Sequence, residues 1–374
     1  MQRSLNLVID KAIPWIREPL AGLSNITALA GADISADVVR KADALIVRTR
    51  TRCDRSLLGK SAVSFIGSPT IGTDHIDGEW CNSRGIVWKN APGCNALAVM
   101  QYVVSAILHL SLTMGRETDS LTIGIIGAGH TGSAVAVAAR AFGMRVLLND
   151  PPRERAGDSE TFTPVRQLVA EADIISLHVP LTHTGRYATI RMANRDFTDA
   201  MKRQAWLINS SRGEVVYEDD IKRSIDRGDI AGYVADVWSS EPFIDTELAD
   251  MSELATPHIA GYSVEGKLNG SAKVLRELSG HFGLPVEVPD RDMLARPERP
   301  LIEIAQRGGS FTEQIALLVC ETFDIKAESS ALKSGYRRFE EMRDSYRPRR
   351  EFSAYQVAAG DHIEKIAKKL GFRT

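Results

Sequence analysis

Four residues in the second half of the chain carry groups that together could move a hydride and a proton. They are Arg212 in "NSSRGEVV", Asp236 in "VADVW", Glu241 in "SSEPF" and His258 in "TPHIAGY". A guanidinium is a planar, permanently charged fork that grips a carboxylate through two hydrogen bonds, a geometry lysine cannot reproduce. An imidazole, with an ordinary pKa of about 6.5, can accept a hydroxyl proton and return it near neutrality. A carboxylate on the other ring nitrogen fixes the tautomer and favours the imidazolium. The set suits oxidation of a 2-hydroxy acid, with Arg212 on the acid's carboxylate, His258 as acid–base group and Glu241 as its partner. Taken singly, each has a plain structural reading: Arg212 a surface cation, Glu241 a cap before Pro242, Asp236 a satisfied strand-end carboxylate, His258 a core residue after a proline. Their shared placement favours chemistry.

That placement comes from the elements. "LTIGIIG", "MRVLLND", "ADIISLHVP", "AWLINSS" and "IAGYVADVW" read as strands, separated by helical runs such as "SAVAVAARAFG" and "YEDDIKRSIDRG". The pattern is that of a doubly wound parallel sheet, in which ligands lie beyond the carboxyl ends of the strands. Arg212, Asp236, Glu241 and His258 all follow strand-like runs. In "GIIGAGHTG", Gly127, Gly129 and Gly132 fit the dinucleotide turn: the first permits the turn, the second admits a pyrophosphate, and the third brings helix and strand together. The next strand ends at Asp150, where a carboxylate can accept hydrogen bonds from a ribose and repel a 2′-phosphate. This favours NAD, although Arg153 and Arg155 nearby pull the other way; the bland alternative is an aspartate capping the turn before two prolines.

The first part alternates in the same way, with strands "LNLVID", "ADALIVRT", "VSFIGS" and "GIVWKN" and helix-like "PWIREPLAGL" and "HIDGEWCNSRG". "NALAVMQYVVSAILHLSL" is short for a bilayer span and contains Gln101 and His109, so it reads as a buried helix. After His258, "SVEGKLNGSAKVLRELSGHFG" reads as a helix that could return to the first domain. The expected organisation is α/β: a discontinuous Rossmann-like domain (1–94 and 259–288), a nucleotide-binding Rossmann domain (95–258) and a small α+β domain (289–374) beyond a proline-rich connector. The last ends in an amphipathic helix around Ile363 and Ile366, an appendage suited to self-association.

With 374 residues, 44% hydrophobic and 25% charged, the chain has an ordinary soluble composition, and its formal charge of −2 supplies no basic field for nucleic acid. Cys53, Cys81, Cys94 and Cys320 form no CxxC pair, arguing against a disulfide framework or zinc site and for a reducing cytoplasm. "MQRSLNLVIDKAIPW" does not read as a secretory signal. The expected partners are therefore a small substrate and a second copy of the chain, with neither nucleic acid nor membrane.

"GIIGAGHTG", "INSSRGEVV", "ADVWSSEP" and "PHIAGYS" together resemble the NAD-dependent D-2-hydroxyacid dehydrogenases. The resemblance implies Arg212, Glu241 and His258 as catalytic residues, Asp236 near the nicotinamide carboxamide, and a substrate domain that closes on a cofactor domain. "GSPTIGTDHID", "NAPGCNALAVMQYV", "NDPPRE", "PHIAGYSVEGK" and the tail from "GYRRFEEMRDSYRPRREFSAY" to "KKLGF" resemble the subfamily with an extended dimerisation tail. That subfamily oxidises 4-phospho-D-erythronate to the 2-oxo, 3-hydroxy, 4-phospho acid in pyridoxine synthesis. It implies substrate contacts at Thr49, Thr70 and Tyr262 and cofactor contacts at Val179 and Gly261. Val179 stands where a threonine is expected, so only its backbone could donate, and Tyr217 where an aspartate is common.

A phosphorylated substrate needs cations. If "VRTRTRC" stays extended, Arg48, Arg50 and Arg52 share one face, and Arg48 is the candidate phosphate ligand, joined by an arginine of the partner's "RPRR". A strand-end charged patch is the alternative for Arg50 and Arg52. His75 in "TDHID" lacks the further convergent ligands of a metal cage and reads as part of a structural turn, so no metal is expected. Two other functions stay open: a dehydrogenase for another hydroxy acid such as 3-phosphoglycerate, and a non-catalytic NAD-sensing binding protein.

Overall fold

The structure is a computed structural model that describes residues 4–304 and 309–374. Its internal contacts divide the chain into two compact units, Met1–Asn95 with Ser263–Ala295, and Ala96–Tyr262 with Arg296–Thr374.

The first unit is a parallel sheet of β1 (Leu5–Asp10), β2 (Ser24–Leu29), β3 (Ala44–Ile46), β4 (Phe65–Gly67) and β5 (Val87–Lys89), in the order β2-β1-β3-β4-β5. Alternate side chains feed two cores: Leu7, Ile9, Ile46 and Phe65 meet Val274, Leu275 and Leu278, while Val8, Leu45 and Ile66 meet Val39, Leu58 and Cys81. Burial on both faces makes parallel strands read as nearly continuous apolar runs. The returning helix is Val264–Phe282, begun by the Ser263 side chain accepting from the Gly266 N–H and closed by left-handed Gly283. "PWIREPLAGL" is not a helix: it holds only a 3-10 turn at Glu18–Leu20, followed by the unanticipated edge strand β2. Ile13, Ile16 and Leu20 are buried at helical spacing, but Pro14 and Pro19 break the run.

The second unit carries β6 (Thr122–Ile126), β7 (Arg145–Asn149), β8 (Ile174–Leu177), β9 (Trp206–Asn209), β10 (Gly232–Ala235) and β11 (Leu254–Ala255), all parallel, in the order β11-β10-β9-β8-β6-β7. The strand order reverses between β6 and β8, where doubly wound sheets bind ligands. Helix Ala96–Thr113 is long and apolar enough to cross a bilayer, yet 78% of it is buried in the protein.

Residues 289–374, expected as a small α+β domain, hold strands and helices together, and by internal contacts Arg296–Thr374 group with the nucleotide unit. A two-stranded parallel sheet, β12 (Leu301–Glu303) with β13 (Gln356–Ala358), is accompanied by helices Phe311–Cys320, Ile325–Lys333, Phe339–Ser345 and Asp361–Leu370. Ile315, Leu318, Phe352 and Ile366 join the same apolar core as Tyr102, Val103, Ile107 and Ala138 of the nucleotide unit. This core ties the C-terminal segment to the nucleotide domain. Ile259–Tyr262, expected with the first domain, group with the second unit.

Candidate active site

The dinucleotide turn lies at the strand-order reversal. A Cβ on Gly127 would meet the His178 carbonyl at 2.5 Å, and one on Gly132 would meet the Gly127 carbonyl at 2.0 Å, so turn, helix and β8 exit approach too closely for side chains. Around Gly129 a Cβ would meet nothing within 4 Å, which leaves the open side a pyrophosphate needs. Asp150 accepts from Ala128 N–H (2.9 Å) and, as cap of the next helix, from Arg153 N–H (3.1 Å). Capping and ribose binding are compatible, since a carboxylate offers about four acceptor positions. The Arg153 guanidinium bonds the Ala128 carbonyl and is paired with Asp158 at 2.7 Å. Val179 packs against the turn, its Cγ1 lying 3.0 Å from a Cβ built on Gly127. His178 bonds Ser176 at 2.9 Å, its buried Nδ1 has no partner, and burial holds its imidazole down to about 4. This cradle fits NAD.

Past the ends of β9 and β10, Glu241 and His258 come together and the Arg212 loop lies beside them, its guanidinium donating to the Ser211 carbonyl at 2.7 Å. Asn209 folds the Arg212 loop by accepting from the Ser211 N–H (3.1 Å) and hydroxyl (2.8 Å) and donating to the Arg212 carbonyl (2.9 Å). Only glycine fits next, because a Cβ on Gly213 would lie 1.9 Å from the Trp238 carbonyl carbon. That approach sets the Arg212 loop against the turn carrying Glu241. The Glu241 carboxylate receives His258 Nδ1 at 2.8 and 3.0 Å and the Trp238 N–H at 3.1 Å. Burial alone would raise the Glu241 pKa, but His258 and Arg343 outweigh it and hold the carboxyl below its ordinary value. Nδ1 donates to this anion, which leaves Nε2 as the proton-accepting nitrogen.

Asp236 is buried beneath this loop. It accepts from the Thr256 hydroxyl (2.7 Å), the Ile259 N–H (2.8 Å) and the Ala260 N–H (2.9 Å), while Tyr102 bonds Thr256 at 2.8 Å. Burial raises its pKa despite the opposing influence of His258 and these hydrogen bonds. His258 holds a left-handed φ of 57°, and Gly261 and Tyr262 complete the loop.

In the first unit, Arg48, Thr49 and Thr70 follow β3 and β4. Arg48 is held at 2.9 Å by Asp10, the buried residue that ends β1. Thr70 bonds the Ser68 hydroxyl at 2.8 Å. The three arginines do not share one face: the chain turns after Arg48, with the Thr51 N–H on its carbonyl at 3.1 Å, and Arg52 pairs with Asp54. His75 Nε2 lies 3.1 Å from the Ser68 hydroxyl. No cluster of three or more His, Cys, Asp or Glu suited to a metal occurs among the described residues.

Sequence reasoning missed two arginines of the C-terminal segment. Arg343 reaches Glu241 at 3.4 Å and lies 6.0 Å from the Tyr262 ring centroid. Arg349, one of the three arginines of the "RPRR" expected to supply a ligand for a partner's phosphate, is buried in its own chain. Their spacing gives no signal, because the groups they meet are far away in sequence.

The family model described as D-isomer specific 2-hydroxyacid dehydrogenase, NAD binding domain, matches residues 102–260, and a domain of unknown function matches residues 295–371. The erythronate-4-phosphate dehydrogenase of Bacteroides fragilis is 41% identical over 94% of this chain and 99% of its own. That of Serratia proteamaculans is 34% identical over 99% of this chain and 100% of its own. Among solved structures, a D-lactate dehydrogenase from Aquifex aeolicus complexed with NAD and lactic acid superposes with a TM-score of 0.62 at 27% identity, covering 74% of this chain and 96% of that one. The chain belongs to the erythronate-4-phosphate dehydrogenases, within the NAD-dependent D-isomer-specific 2-hydroxyacid dehydrogenase family.

Proposed function

We propose that the chain oxidises 4-phospho-D-erythronate at C2, giving (R)-3-hydroxy-2-oxo-4-phosphooxybutanoate. The observation that carries this reading is His258 Nδ1 seated on the Glu241 carboxylate at 2.8 Å beside the Arg212 loop. Arg212 grips the substrate carboxylate and presents C2. His258 Nε2 takes the C2 hydroxyl proton as the C2–H bond breaks, and the C–O bond becomes a carbonyl. Bound NAD supplies the hydride acceptor. Glu241 stabilises the resulting imidazolium and keeps the ring oriented. In the reverse direction the same imidazolium returns the proton to oxygen.

Arg48, fixed by Asp10, is the proposed phosphate ligand, with Thr49, Thr70 and Tyr262 as further substrate contacts. Lys267 supports this reading: burial, then Arg48, lowers its pKa, as expected for cations gathered where an anion binds. The reaction fits a step in pyridoxine synthesis. The test is NADH formation from 4-phospho-D-erythronate, its unphosphorylated counterpart and 3-phosphoglycerate. The first should be strongly preferred; equal rates on the first two would remove the role of the phosphate, and preference for the third would reassign the substrate. NAD-dependent peptide binding without turnover would favour a sensing protein.

The chain is further proposed to act as a homodimer through its C-terminal segment. Leu317 is 60% exposed and Leu112 43%, and both line an apolar cavity of about 770 Å³ in the second unit. Light scattering should give twice the chain's 41.0 kDa, and a monomer mass would overturn this.

A further inference from the structure

The main chain following His258 is gripped by two groups distant in sequence. Asp236 takes the N–H groups of Ile259 and Ala260. Opposite it, Arg349 Nη1 donates to the carbonyls of Ile259 (3.0 Å) and Tyr262 (3.3 Å), and Nη2 donates to those of Ala260 (2.6 Å) and Ala98 (2.7 Å). Nε donates to the Gln101 side-chain oxygen at 3.2 Å. A guanidinium has five N–H donors in a fixed fork, and these acceptors use all of them. The side chain is buried, with its guanidinium carbon 4.3 Å from the Phe323 ring centroid.

Packing alone does not account for this residue, since well-packed apolar side chains generally serve a core as well as a buried cation does. Three of its five acceptors share a location: the carbonyls of Ile259, Ala260 and Tyr262 all belong to the turn that carries His258, while Ala98 and Gln101 lie on helix Ala96–Thr113. The peptide joining Ile259 to Ala260 is held at both poles, its C=O by Arg349 and its N–H by Asp236. His258 adopts φ 57°, a conformation that a non-glycine residue keeps only where its surroundings over-determine it.

We propose that Arg349 is a positioning residue for catalysis: the C-terminal segment uses it to lock the His258 turn, so that the imidazole stays on Glu241 with Nε2 aimed at the substrate hydroxyl. The inference rests on His258 being the acid–base group. It gives the segment a catalytic duty within its own chain, separate from self-association.

The test uses the full chain, with steady-state kinetics on 4-phospho-D-erythronate and NADH affinity by fluorescence, for Arg349→Met, Arg349→Lys and His258→Asn. Arg349→Met should lower kcat roughly 100-fold, the cost of misplacing a reacting group by about 1 Å. The KM for the acid should change far less than kcat, Tyr262 being a proposed substrate contact on the same turn, and the Kd for NADH should stay near wild type. Arg349→Lys keeps the charge but cannot span three carbonyls, so its kcat should fall between the two. A primary isotope effect with the 2-deuterated acid should be at least as large in both variants, because the chemical step has slowed. Unchanged kcat in Arg349→Met, with His258→Asn inactive, overturns this inference alone. Wild-type kcat in His258→Asn overturns the reading of His258 and this inference with it. If both Arg349 variants lose NADH binding or fail to fold, the residue is a core strut and the inference is overturned.

Discussion

In the proposed reaction, Glu241 is the residue on which proton transfer turns. Its carboxylate bonds His258 Nδ1, the Trp238 N–H and Arg343, and those partners keep it ionised although burial opposes the charge. Glutamine would keep the shape and one acceptor while removing the negative charge. In Glu241→Gln the imidazolium formed during oxidation loses its counter-ion, so kcat should fall by roughly 100-fold, within the usual range for acid–base assistance. A kcat within a few-fold of wild type in Glu241→Gln would show that Glu241 does not govern the proton acceptor.

Strand ends explain why Arg212, Asp236, Glu241 and His258 were legible: the parallel period is plain in the sequence, and residues following such strands project toward one edge. The glycine turn was legible because its spacing is a steric requirement, seen in the 2.0 Å approach at Gly132. β2 and the arginines of the tail were not. β2 is a half-buried edge strand, "SNITAL", with little apolar signal, and Arg349 meets backbone carbonyls, which leave no side-chain pattern. A second illegible element tie is Asp173, beside β8. It joins the Thr122 N–H at the start of β6 (2.8 Å), Arg116 (2.9 Å) and Lys202 (2.7 Å). Burial would raise its pKa, but these three partners outweigh it and lower it. A folded-state pKa below the unfolded value, about 3.9, gives stability that is present above that value and lost as pH falls through the folded pKa. Asp173→Asn should cost about 1–3 kcal/mol at neutral pH, as for a charged hydrogen-bonded group left mispaired. In denaturant melts the gap between variant and wild type should close toward acid pH. A constant gap would point to packing.

Because the C-terminal segment and the nucleotide unit share a core, damage to one should be felt in the other. Leu318 and Leu317 are neighbours on helix Phe311–Cys320 with opposite environments: Leu318 is fully buried with Tyr102 and Ile107, whereas Leu317 is 60% exposed. Leu318→Ala removes buried apolar volume and leaves a cavity, at a cost of about 2–5 kcal/mol. If the core is one cooperative unit, calorimetry should show the nucleotide unit melting earlier as a whole, with the protection NADH confers shifted down by the same amount. Leu317→Glu should leave that melting nearly unchanged, because little buried surface is lost, while placing a charge on the face proposed to meet a second copy. Light scattering should then show mass falling toward that of one chain. The two neighbours thus separate the segment's internal duty from its external one. A new low-temperature transition in Leu318→Ala, with the NADH-protected transition unmoved, would mean that the segment melts alone and the shared core is not cooperative.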